Sequence, residues 1–290
     1  MTRILTGKEI EKLEDMNQTS VSYVDDLSQV LAHKNALILQ TFIQTTYEIT
    51  VEYFKVNLLS INQDKTELMV IPPRGENPPE MFIFTDSGEF IKSSREVKIL
   101  GVIFNNKNSM QSHVSAMASK IGLTYRKLKP YIQHAPPPQR KIIMISKLES
   151  IALYGAPLFS NETLDCKKRL ENLFMSIYKW IYNKNTYMVR YSIICKEIQV
   201  EEPAQKILNN NTKFICKLMF EKKVTQILNS LIINNRIGSQ VFIANPQKNS
   251  SKSALIKLIK LYNTLPLEIK ILTPQKLKRK LTKWKVSFKE

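Results

Sequence analysis

The sequence predicts an α+β fold in which a mixed first part is followed by a mainly helical second part. Three observations indicate this. Two short β-prone runs near the N-terminus enclose an acidic pair, strand-like runs alternate with turn signals before residue 104, and apolar residues recur at helical spacing after it. The chain has 290 residues and is 43% hydrophobic, which is enough for one large domain or two.

The first predicted element is a hairpin over residues 19–31. Its strands flank Asp25 and Asp26, which a tight turn would hold together at the tip. Adjacent carboxylates repel one another unless a divalent cation lies between them, and Mg²⁺ takes such oxygen ligands together with substrate phosphates. An acidic pair in a solvated turn is the commoner case, so the dipeptide alone leaves both interpretations open.

A helix and several strands are predicted between the hairpin and residue 104. Asp64 lies in a polar turn and Asp86 in a hairpin turn, so both are expected to be structural rather than metal-binding. The expected elements are a helix over about 33–57, a strand over 66–71, a proline-rich loop over 72–79, and strands over 81–84 and 98–104.

Helical periodicity dominates from residue 105 onwards. Aromatic residues at this spacing usually lie in a core, so none is nominated as a base-stacking residue. The residues expected to face inward are Val114, Met117, Ile121, Tyr125 and Leu128 in a first helix, Ile142, Ile145, Leu148, Ile151 and Ala152 in a second, Leu170, Phe174, Ile177 and Ile181 in a third, and Ile207, Phe214, Leu218 and Ile227 in a fourth that follows Pro203.

The last helix has a clear start signal, with Thr273 as the N-cap and Pro274 in the first turn. Lysines and an arginine cover much of its surface, which suits a helix that docks on its neighbours and presents cations to a phosphate backbone. An ordinary capping helix with a solvated basic face and a membrane-surface helix are the alternatives. The predicted apolar stripe consists of Leu277, Leu281, Trp284 and Phe288.

Charge is distributed unevenly along the chain, whose net charge is +18. Residues 1–99 hold 10 Lys and Arg against 15 Asp and Glu, a net of −5, and residues 100–290 hold 33 against 10, a net of +23. A basic half of this kind indicates a polyanionic partner, and nucleic acid is the natural one because neutralised phosphates release counterions. A merely soluble lysine-rich surface is the alternative.

Composition also indicates the location of the protein and the state of its cysteines. No run of about 18 apolar residues is present and the N-terminus lacks a secretory apolar segment, so we expect no membrane partner and an intracellular location, cytoplasmic or nuclear. Cys166, Cys195 and Cys216 are widely spaced and are expected to be free thiols.

Five ordered segments resemble reverse transcriptases of the non-LTR (LINE-type) retrotransposon branch. Each would be unspecific alone, but together they cover residues 19–270 in the family's order. They are 23–26 (YVDD), which looks like the catalytic Y-x-D-D hairpin; 57–70 (NLLSINQDKTELMV), similar to the L-x-I-N-x-x-K-T-x-x-M segment; 97–103 (VKILGVI), similar to the K-x-L-G-V strand; 152–157 (ALYGAP), similar to L-Y-G; and 261–269 (LYNTLPLEI), similar to W-N-x-L-P-x-x-I.

The resemblance implies a domain order and a reaction. Residues 1–104 would be a partial palm with the YVDD hairpin, 105–185 a helical thumb and 186–290 a basic helical C-terminal region. The family copies an RNA template into DNA, with the 3′ hydroxyl of a DNA primer attacking the α-phosphate of a dNTP. Mg²⁺, or Mn²⁺, would be bound directly by Asp25 and supported by Asp26.

The resemblance also assigns roles to four further residues. Lys65 matches the family's Lys-Thr position and would give positive charge or a proton to the leaving pyrophosphate; a solvated turn lysine is the alternative. Leu100 and Gly101 would lie in the strand that grips the primer, where the glycine allows close approach of a nucleic-acid backbone or marks a bulge. Tyr23 would pack under the nucleotide, unless it is a buried strand tyrosine.

The sequence departs from the family pattern before the hairpin. The family uses three carboxylates, and the first lies on a strand well upstream, whereas here the acidic residues before Asp25 fall in the helical, charged run 6–15. The Pro-Gln-Gly segment and the fingers are also missing. A two-ion site needs all of its ligands at once, so we expect a truncated polymerase that is catalytically incomplete alone and binds at most a weak, hydrated ion.

Two other interpretations stay open. A non-catalytic RNA- or DNA-binding module would need only the basic half of the chain. A relic without a folded function would expose the sheet edge left by the missing strand and would aggregate.

Overall fold

The computed structural model describes residues 17–73, 75–107, 109–159, 164–182, 189–220, 231–234, 240–243 and 254–281. The fold is α+β, as the sequence predicts. Two compact units form, Met1–Ser109 and Met110–Glu290. Their division falls in the loop that follows the predicted boundary at 104, and the predicted regions 105–185 and 186–290 lie almost entirely in the second unit.

The described part of the first unit contains the β1–β2 and β6–β7 hairpins, a long helix and a small mixed sheet. β1 pairs with β2 and β6 with β7, both antiparallel, whereas β5 lies between a parallel β3 and an antiparallel β4. The elements are β1 (Asn17–Tyr23), β2 (Asp26–Ala32), α1 (Ala36–Val56), a 3-10 turn (Gln63–Lys65), β3 (Leu68–Met69), β4 (Phe82–Phe84), β5 (Phe90–Ser94), β6 (Glu96–Ile99) and β7 (Val102–Asn105).

Helix α1 begins where an asparagine caps it. Asn35 Oδ1 accepts hydrogen bonds from the main-chain N–H groups of Leu37, at 2.8 Å, and Ile38, at 3.3 Å. This cap sets the start at Ala36, a few residues after the predicted one. The apolar face of α1 packs against the mixed sheet, and the buried residues of this core are Ile43, Tyr47, Val70, Met81 and Ile83.

A glutamine of α1 also covers the outer edge of β4. Gln40 Oε1 accepts a hydrogen bond from the N–H of Phe82 at 3.1 Å, and Gln40 Nε2 donates one to the carbonyl of the same residue at 2.6 Å. The side-chain amide therefore takes the place of a neighbouring strand. Edge strands left open are sites of aggregation, so this contact protects the sheet.

The second unit is mainly helical. Its β8–β9 hairpin was not predicted from the sequence. Among the described residues, no helix combines the length and the apolar character needed to span a membrane. The elements are α2 (Gln111–Ile132), α3 (Pro137–Met144), a π turn (Ile145–Glu149), α4 (Ser150–Leu153), α5 (Ala156–Phe159), α6 (Leu164–Tyr182), α7 (Tyr191–Glu197), α8 (Pro203–Phe220), β8 (Leu231–Asn234), β9 (Gln240–Ile243), α9 (Ala254–Thr264), α10 (Leu267–Lys270) and α11 (Pro274–Leu281).

Helices α2 to α7, together with Ile207 of α8, share the larger core of this unit. The inward face predicted for α6 is confirmed, since Leu170, Phe174, Ile177 and Ile181 are buried. One aromatic pair joins α2 to α6: the rings of Tyr125 and Trp180 stack with centroids 3.8 Å apart and planes 5° from parallel. The cysteines lie inside the unit as buried thiols.

The inward face predicted for the helix that follows Pro136 is wrong at Ile142, which is exposed. The π turn adds a residue to the helical period, so one face cannot be continued through it with 3.6-residue spacing. Arg140 faces inward instead and fastens the end of α2. Its Nε donates a hydrogen bond to the carbonyl of Ile132 at 3.3 Å, and its Nη2 donates to Ala135 at 3.1 Å and to Gln133 at 3.2 Å.

The prediction for α8 is wrong at Phe214, which is exposed, although Ile207 is buried as predicted. Part of the buried face of α8 is polar: Asn209, Asn211 and Thr212 all lie inside. A pattern of apolar residues cannot locate such a face.

Helices α8 to α11 form a smaller core, and α11 begins at Pro274 as predicted. The predicted inward residues Ile227, Trp284 and Phe288 lie outside the described part of the chain. The buried residues of this core are Ile215, Cys216, Leu258, Ile259, Tyr262, Leu265, Ile269 and Leu277.

Candidate functional site

The predicted hairpin at the acidic pair is present. Tyr23 pairs with Asp26, so Val24 and Asp25 form a two-residue turn. The φ angle is +55° at Val24 and is not positive at Asp25, which is the φ pattern of a type II′ turn. Glycine is the usual residue at this first position, and a β-branched side chain there is strained. The turn that presents the carboxylates thus has an unfavourable backbone conformation.

The two faces of the hairpin differ. Leu27, Gln29 and Leu31 share one face, on which Gln29 Nε2 donates a hydrogen bond to Thr50 Oγ1 of α1 at 3.2 Å. Alternation along the strands places Tyr23 and Asp26 on the opposite face. Tyr23 is 61% exposed, so the alternative that it is a buried strand tyrosine is wrong.

Both carboxylates are exposed at the tip. Within the described residues, neither Asp25 nor Asp26 forms an ion pair, and no group of three or more His, Cys, Asp or Glu side chains is arranged to hold a metal ion. Two adjacent carboxylates suit one Mg²⁺ that keeps most of its water ligands. They do not make a two-ion site, since such a site needs ligands that hold both ions together.

The other charged residues considered as site candidates in the sequence lie in turns. Lys65 ends the 3-10 turn with an exposed side chain, and its main-chain N–H donates to Asn62 Oδ1 at 3.3 Å. Asp64 is exposed in the same turn. Asp86 accepts a hydrogen bond from Lys55 Nζ at 2.5 Å, which ties the β4–β5 loop to the end of α1. The structural role predicted for Asp86 is therefore confirmed.

Leu100 and Gly101 do not lie in a strand. Ile99 pairs with Val102, so the predicted strand over 98–104 is a hairpin and these two residues are its turn. Both have positive φ, +47° at Leu100 and +83° at Gly101, which is the pattern of a type I′ turn. Gly101 is needed for this turn. It is therefore neither a glycine within a strand nor part of a bulge, which were the two expectations from the sequence. The sequence signal for this turn was Gly101 itself, within an otherwise β-prone run.

The second unit holds a buried ionic group that the sequence does not reveal. Lys206 of α8 donates a hydrogen bond to the carboxylate of Glu149, which ends the π turn and has a side chain that is 4% exposed. Lys206 Nζ also lies 5.9 Å from the centre of the Tyr178 ring. Burial, followed by the negative charge of Glu149, raises the pKa of Tyr178 far above its ordinary value. Glu149 and Lys206 are 57 residues apart, so no local pattern pairs them.

A basic stripe lies on α2, which contains four Lys and Arg residues and no Asp or Glu. Lys120, Leu123, Lys127 and Tyr131 are all exposed at helical spacing, and they form the α2 stripe. Tyr131 is 82% exposed. An exposed aromatic ring beside cations is an arrangement that can bind a nucleotide by stacking and by phosphate contact.

Comparison of the chain with known proteins gives no independent support for the resemblance to reverse transcriptases. No protein-family model, no curated protein and no solved structure matches the chain. The family assignment therefore stays a prediction from the ordered motifs.

Proposed function

We propose that the chain is a reverse-transcriptase-like protein, retrotransposon-derived and catalytically incomplete on its own, that binds an RNA template and a DNA primer. The observation that carries the proposal is the hairpin tip, where a strained two-residue turn presents Asp25 and Asp26 to solvent. Backbone strain in a ligand-binding turn is common, because the surrounding structure holds the residues ready for their partner. A dNTP would be a further partner if a third carboxylate were supplied in trans.

Asp25 would hold Mg²⁺, or Mn²⁺, with Asp26 as the supporting ligand. In polymerases of this kind the ions stabilise charge on the attacking and leaving oxygens. The described residues supply two of the three carboxylates that the family uses, so binding is expected to be weak. Tyr23 lies on the face of Asp26 and is open to a nucleotide.

Lys65 and the Leu100–Gly101 turn keep family roles only as part of this proposal. Lys65 is exposed and could meet a phosphate group. The Leu100–Gly101 turn would contact a primer strand at the tip of a hairpin instead of along a strand.

Primer extension tests the catalytic part. The assay uses the purified chain, an RNA template, a DNA primer, dNTPs and Mg²⁺ or Mn²⁺, beside the double variant Asp25→Ala/Asp26→Ala and the matched variant Asp64→Ala. We expect no extension by any of the three. Extension that only the double variant loses would show that the carboxylate pair works without a third ligand from the described residues, and the chain would be a complete polymerase.

The α2 stripe favours a second candidate, a non-catalytic RNA- or DNA-binding module. Its cations would neutralise phosphates and Tyr131 would stack on a base. Such binding needs no carboxylate, so it would survive Asp25→Ala/Asp26→Ala. The two candidates share nucleic acid as partner and differ in whether the hairpin takes part.

Fluorescence anisotropy with labelled RNA and DNA separates them. Lys120→Glu/Lys127→Glu should weaken binding and reduce the slope of log affinity against log salt by about 0.7–0.9 for each phosphate that a lysine no longer neutralises. Lys92→Glu in the first unit is the matched control. Unchanged affinity in the α2 variant would remove the second candidate, and weakened binding in Asp25→Ala/Asp26→Ala with Mg²⁺ would favour the first.

A further inference from the structure

The outer edge of β1 is open in the described part of the chain. β1 hydrogen-bonds to β2, and every residue from Asn17 to Tyr23 is exposed. The strand contains neither a charged residue nor a proline, which are the usual means of preventing an edge from pairing with another strand. The β4 edge in the same unit is covered by the side chain of Gln40. Among the described residues of this unit, the β4 edge is thus protected and the β1 edge is open.

The turn determines which main-chain groups of β1 point outward. In a two-residue hairpin the pair that closes the turn, Tyr23 and Asp26, exchanges hydrogen bonds, and hydrogen-bonded pairs then alternate with non-bonded ones. Val21 and Thr19 therefore direct their main-chain groups towards β2. Gln18, Ser20 and Ser22 direct theirs away from it.

These outward groups are symmetric about Ser20. We propose that β1 is a dimerisation edge, which pairs antiparallel with β1 of a second copy of this chain across a two-fold axis at Ser20. Ser20 then faces Ser20 of the second copy, and Gln18 faces Ser22 of the second copy at both ends. Each of these pairs exchanges two main-chain hydrogen bonds, so the whole outward edge is satisfied. The facing side chains are uncharged, and no like charges meet.

A second copy suits this edge for two further reasons. Val21 and Tyr23 are each 61% exposed and lie on one face of the hairpin, where the added strand would cover part of their surface. The antiparallel arrangement also sends the two acidic turns to opposite ends of the joined sheet, about 20 Å or more apart at about 3.3 Å per residue. Repulsion between the carboxylates of the two copies is therefore small. The proposal does not depend on polymerase activity.

Sedimentation of the full chain, after nuclease treatment and in high salt to remove bridging nucleic acid, tests the dimer. We expect a monomer–dimer equilibrium that shifts with chain concentration. Ser20→Lys places two like charges on the axis and should weaken the dimer at least about tenfold. Ser20 is exposed, so the monomer should keep its circular dichroism and its melting temperature.

Cross-linking tests the register. Hydrogen-bonded antiparallel partners have Cα atoms about 5.5 Å apart, within reach of a disulfide, so Ser20→Cys should form a covalent dimer under mild oxidation. The native cysteines are buried. Ser60→Cys, an exposed residue of the same unit outside the strands, is the matched control. A chain that stays monomeric at every concentration, a dimer unaffected by Ser20→Lys, or equal cross-linking of the two cysteine variants would overturn the proposal.

Discussion

The side-chain amide of Gln44 forms hydrogen bonds with both main-chain groups of Phe84. The N–H of Phe84 donates to Gln44 Oε1 at 2.8 Å, and Gln44 Nε2 donates to the carbonyl of Phe84 at 3.1 Å. Gln44 lies one helical turn after Gln40, which binds Phe82 in the same way. Because alternate residues of a strand direct their main-chain groups to the same side, two glutamines four residues apart on α1 match the spacing of the β4 edge.

Gln44→Ala should destabilise the first unit by about 1–3 kcal/mol, since both groups of Phe84 lose their partner, and should promote aggregation through the opened edge. Urea unfolding and light scattering measure the two effects. Gln29→Ala is the control, because it removes one side-chain hydrogen bond and uncovers no edge. Equal stability of the two variants would contradict the role given to Gln44.

Val24→Gly should stabilise the hairpin. Glycine relieves a left-handed strain of about 1–2 kcal/mol and adds an entropy cost of about 0.5–1 kcal/mol, so a net gain of up to about 1.5 kcal/mol is expected. Hydrogen exchange of the amides in β1 and β2 should slow. Val21→Gly, within the strand, is the opposite control and should speed that exchange. A faster exchange in Val24→Gly would show that the turn is not strained.

Lys206→Met should cost about 3–5 kcal/mol, because it leaves the carboxylate of Glu149 buried without its cation. The double variant Glu149→Gln/Lys206→Met removes both charges and should be more stable than the single variant. Urea unfolding of the second unit, followed by circular dichroism, gives the comparison. If the double variant were as unstable as Lys206→Met, packing rather than charge would be the cause.

His113 should make the second unit sensitive to acid. Burial lowers its pKa below the ordinary value of 6.5, although a hydrogen bond with the main chain of Tyr154 partly opposes the shift, and its ring packs edge-on against Phe159 at 5.2 Å. The unfolded chain therefore takes up the proton first. The contribution of His113 to the free energy of unfolding is fully present above pH 6.5. It is lost as the pH falls towards the lower pKa that His113 has in the folded state.

Urea unfolding at a series of pH values tests this. His113→Gln should flatten the decline between neutral and mildly acidic pH, whereas His134→Gln, at an exposed position, should leave it unchanged. An equal decline in wild type and His113→Gln would assign the acid sensitivity to other groups.

Sequence patterns predicted those parts of the fold that local spacing determines. The hairpin at Tyr23–Asp26 and the inward face of α6 are of this kind, since a period of two or of 3.6 fixes which side chains share a face. The prediction failed where polar residues or an irregular turn decide the packing. Arg140 lies inside because three carbonyls hold its guanidinium, and the π turn changes the period beside it.

The candidate site was predictable only in part for the same reason. The adjacent carboxylates and their turn follow from a local signal. The turn at Leu100–Gly101 resembled a strand because glycine is compatible with both. The Glu149–Lys206 pair joins distant positions, and the exposure of Tyr131 depends on which helices pack against α2.

The parallel stack of Tyr125 on Trp180 gives the second unit an optical signature of its own. Both tryptophans of the chain, Trp180 and Trp284, belong to residues 110–290, and residues 1–109 contain none. Fluorescence excited at a wavelength that only tryptophan absorbs therefore reports on the helical unit. It does not report on the hairpin that carries the acidic pair. A melting curve read from tryptophan emission and one read from total ellipticity will coincide only if the two units unfold together.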